Sequence, residues 1–196
     1  MKVNTMKTKS IIAKIKTYLR ELTIVTAGVL IALFISNQKE ENQARDYHSA
    51  SIHTIQNEVK SNHLNLSGVI EKHIVLLDTI AKYSEKDIAI NDLFSKVNGV
   101  QFATLSNTGL EFYTRNNINL IDFELMSKLY HINTLSELIE IKLERLSNFV
   151  YSNIQAESTE SKMIISLYLS DVLNSESQLL EIYEDLIDEK TENNMK

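Results

Sequence analysis

Residues 22–38, LTIVTAGVLIALFISNQ, form an uncharged run of seventeen. From Leu22 to Ile35 only Thr23 and Thr26 are polar. As a helix rising about 1.5 Å per residue the run reaches about 25 Å, against a hydrocarbon core of about 30 Å. Tyr18 and Leu19 lengthen it, and Lys16 and Arg20 are long enough to snorkel to the headgroups. The run reads as one membrane-spanning helix. A buried core helix is the first rival, but Ile24, Val25, Val29, Leu30, Ile31, Leu33, Phe34 and Ile35 leave no polar face, which a domain this small rarely needs. A cleaved signal peptide is the second, since basic residues precede the run. Cleavage after Ser36 would place Phe34 where a small residue is required, and no A-x-A follows.

That span divides the charge. Lys2, Lys7, Lys9, Lys14, Lys16 and Arg20 against Glu21 leave residues 1–21 at +5; the whole chain is −6, so residues 22–196 carry −11. The positive-inside rule then keeps the N-terminus cytoplasmic and exports the acidic bulk, into the periplasm of a Gram-negative cell. An acidic body without a basic patch argues against a nucleic-acid partner. The 196 residues contain no Pro, four Gly and no Cys. Long helices are therefore unopposed, and disulfides and thiolate metal sites are excluded.

Before the span, Ile11, Ile12, Ile15, Tyr18 and Leu19 make an apolar stripe flanked by Lys14, Lys16 and Arg20. It reads either as a basic turn on an anionic leaflet or as the first turns of the same helix. Gly28 and Ala32, four apart, share a face on which two membrane helices could approach closely. Glu21, beside Arg20, reads as a headgroup-level residue.

Beyond the span, Ile52, Ile55, Val59, Asn62, Leu66, Val69, His73, Leu76, Ile80 and Tyr83 follow an unbroken 3-4 spacing, a heptad seam. The helix is expected to continue from the membrane, as a rod of about seventy residues from Ile11. Ile70 and Leu77 add a flank, so more than one neighbour is expected. Asn62 and His73 are polar on the seam: each either fixes register or marks local solvation, the second being the reading for His73. Near 84–87 the pattern breaks, with Ser84 or Asp87 able to cap a new helix. A short helix around Asp92, Leu93, Phe94 and Val97 should end at Asn98-Gly99. Ser106, Asn107 and Gly109 mark a turn, and Asn116, Asn117 and Asn119 another. Helices are expected at 121–131, at 135–154 with Leu135, Ile139, Leu143, Leu146, Val150 and Ile154 on one side, and at 160–189. The last presents Ile164, Tyr168, Val172, Leu179, Tyr183 and Leu186. The domain plan is 1–21 tail, 22–38 span, 39–190 helical domain outside the cytoplasm, and 191–196 frayed tail. The fold class is all-α, an elongated bundle after one long N-terminal helix.

The combination Glu21-Leu22, Gly28-Val29-Leu30-Ile31-Ala32-Leu33, Ile35-Ser36-Asn37 and Glu40 resembles a domain-of-unknown-function family of small single-pass bacterial membrane proteins. Thr104-Leu105, Gly109-Leu110, Leu120, Met126 and Leu129-Tyr130 are similar to its second shared stretch. Gln38 departs from it, standing where the family tends to place an interfacial Trp. The resemblance implies an anchored helical protein and brings no activity, ligand or catalytic residue.

Catalytic patterns are missing from the sequence. His48, His53, His63, His73 and His131 include no pair spaced three or four apart as helical metal sites need, and Glu58 and His63 are five apart. Glu181, Glu184, Asp185, Asp188 and Glu189 suit a solvated helix face. Four scattered Gly cannot build a phosphate loop or nucleophile elbow. The expectation is no enzyme and no cofactor. The bilayer and another envelope protein are the expected partners, with self-association open, and an envelope sensor binding a ligand in the bundle is the alternative.

Overall fold

The computed structural model describes the backbone of residues 4–116 and 123–193 and the side chains of 16–114 and 123–188. Among the described residues five helices follow in order: α1 Asn4–Lys82, α2 Ile90–Ser95, α3 Thr108–Asn116, α4 Phe123–Ser152 and α5 Thr159–Asn193. The described residues include no strand. The chain divides into two compact units, Met1–Ser49 and Ala50–Lys196.

The first unit is helix throughout its described length. Side chains 16–47 are all exposed, and the most apolar 18-residue stretch of the helix has mean hydropathy 1.8 with none of it buried. By length and composition this is one helix able to cross a membrane, at the place the sequence marks. Its Thr23 hydroxyl donates to the Leu19 carbonyl at 2.8 Å, satisfying itself within the helix.

In the second unit the heptad seam is the buried stripe of α1. Ile55, Val59, Leu66, Val69, Leu76 and Ile80 are buried and Ile52 is half-buried; Ile70 and Leu77 flank them against the core. The partners are α4 and α5. Contacts Phe149–Tyr168, Lys142–Asp171 and Asn62–Tyr183, His73–Glu176 run in opposite sequence directions, so α5 is antiparallel to both α4 and α1. Two apolar clusters result. One gathers Ile55, Leu66, Tyr113, Leu129, Ile139 and Tyr183; the other Leu76, Ile80, Ile90, Leu146, Ile165 and Leu169. Between them lies a polar layer with His73, Lys142, Ser175 and Glu176.

Because α1 and α4 run parallel, the chain must return along α1 before α4 begins. Residues 101–107 make that return as neither helix nor strand, and the span between their anchors calls for extended backbone. The eleven helical steps from Asn62 to His73 rise about 16 Å, and the five extended steps from Gln101 to Ser106 cover the same distance of about 16 Å. Helical backbone would cover less than half of it.

Several expectations change. The helices expected at 121–131 and 135–154 are one, α4, from Phe123. Asn133 and Thr134 do not break it, since Asn133 bonds Glu137 and Thr134 bonds the Tyr130 carbonyl within the helix. Early in α5 the buried positions are Ile165 and Leu169 rather than Ile164 and Tyr168; adjacent apolar pairs left the register open, and Tyr168 lies at the edge with its ring against Phe149. Neither Ser84 nor Asp87 caps α2: Ala89 precedes it, and the Ile90 and Asn91 amides donate to the Ala156 and Ile154 carbonyls. Asn98 and Gly99 both take left-handed conformations, φ 62° and 84°, after α2 as expected. The turn expected at Asn116, Asn117 and Asn119 falls largely outside the described residues, as do 194–196 of the expected frayed tail, while α5 continues through 191–193.

Candidate functional site

The polar side chains of α1 converge on the returning segment. Asn62 reads Ser106 from both sides: its amide nitrogen donates to the Ser106 carbonyl at 3.0 Å, and its oxygen accepts the Ser106 N–H at 2.9 Å. Asn65 donates to the Thr104 carbonyl at 3.2 Å. Lys72 donates to the Gln101 side chain, and His73 Nε2 meets the Gln101 carbonyl at 2.7 Å. At the far end the Glu58 carboxylate accepts the N–H groups of Gly109 and Leu110 at 2.8 and 3.2 Å. These are two of the donors a helix start leaves unpaired, so a residue of α1 caps α3. Gly109 permits the approach: a Cβ there would lie 2.9 Å from Thr54 Cγ2 and 3.2 Å from Glu58 Oε2.

Asn62 also donates to the Tyr183 hydroxyl at 3.3 Å, and Asn107 donates to Ser136 at 2.9 Å, tying the segment to α5 and α4. Burial pushes the Tyr183 hydroxyl up to about 12, against the lowering effect of its bonds to Asn62 and Ser136; the Glu58 carboxylate adds to the rise.

His73, expected at a solvated position, is 1% exposed and faces Glu176, which is 0% exposed, at 2.9 Å. The reason is that this turn of the seam meets α5 and the returning segment together. The Gln101 carbonyl only accepts, so Nε2 carries a proton; one further proton lies between Nδ1 and Oε2. Whichever atom holds it, the pair adds no net charge to the interior. Glu176 Oε1 is buried without a partner among the described residues. Beside this pair, Lys142 joins Asp171 at 2.7 Å and Ser175 at 2.8 Å. Nearer the start of α5, buried Lys162 donates to the Lys86 carbonyl.

Glu58, Asn65, Gln101 and Glu176 were not singled out as a group from the sequence. A signal existed: Glu176 fills the gap between Val172 and Leu179 in a face otherwise apolar. Glu58 and His63 stand five apart in the sequence, and His63 pairs with Glu184 at 3.5 Å. The two are neighbours on one helix turned to different elements.

Between the returning segment and α4 lies an open groove of about 490 Å³, lined by Ala103 to Thr108, Glu111, Asn133, Ser136, Glu137, Ile139, Glu140 and Leu143. Among the described residues no three His, Cys, Asp or Glu gather as a metal site would need. Glu181, Glu184, Asp185 and Asp188 lie exposed on α5. In the first unit Gly28 and Ala32 are exposed, with nothing within 4 Å of the place a Gly28 Cβ would take. Lys16 and Arg20 are exposed, while the Lys14 side chain lies outside the described residues. No family model matches the chain, and neither does a curated protein or a solved structure.

Proposed function

We propose that the protein is a single-pass, membrane-anchored adaptor. Its basic N-terminus lies in the cytoplasm, residues 22–38 cross the bacterial inner membrane, and the helical bundle works in the periplasm as a scaffold or accessory subunit for another envelope protein, without catalysis of its own. The observation that carries the anchoring is the apolar helix of the first unit, whose Val29 and Leu33 are 53% and 54% exposed. A soluble protein rarely leaves so long an apolar surface to water, whereas lipid would cover it. The positive charge before the span supplies the orientation. Membership in a family of anchored helical proteins would agree with this reading.

The adaptor role draws on how the bundle is held: Glu58, Asn62, Asn65 and His73 of α1 fix the returning segment in place and so present one ordered surface. Photo-crosslinking from Leu64, Phe112 and Tyr151, all exposed on the second unit, tests the role in native membranes. Adducts with one recurring envelope protein are expected; monomer alone from all three positions would contradict it.

The sensor reading draws on the groove beside α4, whose volume falls within the range of small-molecule sites. The groove is open and half polar, which suits a chain segment better than an enclosed small ligand.

A further inference from the structure

Exposure alternates residue by residue along the returning segment: Phe102, Thr104 and Ser106 are exposed, while Gln101, Ala103 and Leu105 are half-buried. That is the habit of a strand with one covered face. In extended backbone the N–H and C=O of one residue project to one side and those of the next to the other. Asn62 holds both backbone groups of Ser106, and Asn65 holds the Thr104 carbonyl. Over 103–106 this turns the backbone groups of Ala103 and Leu105 away from α1, while Gln101, whose carbonyl meets His73 of α1, lies before that run. Among the described residues these four groups have no hydrogen-bond partner. The groove against α4 opens beside them, and its lining includes Glu111, Glu137 and Glu140 with no Lys or Arg.

We infer that this groove is a docking site for an extended, basic peptide segment of a partner protein, which pairs with the backbone edge at Ala103 and Leu105 and sets its Lys or Arg side chains against Glu137 and Glu140. Three features select this occupant. The free edge asks for a backbone with its own groups unspent, which a helix cannot offer and an extended chain can. The carboxylates ask for cations. The returning segment is already fixed by Asn62 and Glu58, so pairing needs little reordering of the receiving side. The edge is short, two residues deep, and so gives register and direction while charge gives selectivity.

The inference rests on the adaptor reading, because it names the surface through which a partner would be held. It is tested apart from it, on the purified full-length chain in a non-ionic detergent. The probe is a fluorescein-labelled octapeptide of alternating Lys and Val, followed by anisotropy. Saturable binding is expected, at least tenfold weaker for the alternating Glu and Val peptide and for the Lys–Val peptide N-methylated on alternate backbone nitrogens. The double variant Glu137→Gln/Glu140→Gln, both at exposed positions of α4, should bind at least threefold more weakly with an unchanged unfolding midpoint. Absence of saturable binding, equal binding of the N-methylated peptide, or full affinity in the double variant would each overturn the inference. Any of these alongside a recurring crosslinked partner would leave the adaptor reading standing and place its contact elsewhere.

Discussion

His73 and Glu176 show how one residue pair constrains a helical interior. Each is buried, and each would be an uncompensated polar or charged group without the other. Replacing one partner should therefore cost more than replacing both. His73→Leu or Glu176→Leu alone is expected to lower stability by about 3 kcal/mol, and the double variant by clearly less than the sum. Urea unfolding of the full-length chain in detergent, followed by circular dichroism, measures the coupling; additive losses would mean the pair is not a unit. Tyr183 gives a prediction in pH. Its folded value is about 12, above the ordinary tyrosine value of 10, so the folded state holds a proton that the unfolded state releases. The contribution is fully present below pH 10 and is lost as pH rises from about 10 through about 12, amounting to about 2–3 kcal/mol. Tyr183→Phe should flatten that part of the profile; an unchanged alkaline loss would assign it to other groups.

Among the elements, the returning segment governs the most. Asn62→Ala frees both backbone groups of Ser106 and should cost about 2 kcal/mol, with faster amide exchange confined first to residues 101–110. Gly109→Ala forces Thr54 or Glu58 aside at the start of α3 and is expected to cost about 1–2 kcal/mol, with the same local exchange signature. Uniform loss of protection across α4 and α5 instead would contradict the role given to the segment. How legible these elements are in the sequence follows from what encodes each. The α1 stripe was readable because burial on one side of a helix imposes a period that few other causes produce. The break before α2 and the left-handed end at Asn98-Gly99 were readable because backbone geometry restricts the residues allowed. The returning segment was not, because its anchors are side chains of α1 about 30–50 residues away in sequence, such as Asn62 to Ser106 and Glu58 to Gly109. The α2 cap was missed for the same reason, its acceptors being carbonyls of Ile154 and Ala156. Asn62 and His73 stood out as anomalies on the seam, and an isolated anomaly on one helix does not name its partner.

At the scale of the whole molecule, two units treat their apolar side chains differently. In the second, apolar side chains close on one another around a polar layer; in the first, apolar side chains face outward along the run from Leu22 to Ile35. In the proposed reading a lipid bilayer covers the first unit's arrangement and water surrounds the second's. The orientation across it rests on the charge asymmetry alone. The measurement that tests this most directly uses the absence of native Cys. Single Cys are placed at Lys9 and at exposed Glu157 and labelled with a membrane-impermeant maleimide in intact cells whose outer membrane has been permeabilised. Labelling at position 157 with protection at position 9 until the inner membrane is lysed is the expected result. Labelling at 9 with protection at 157 would invert the topology, and a protein recovered in the soluble fraction at full length, or beginning near Asn37, would remove the anchor altogether.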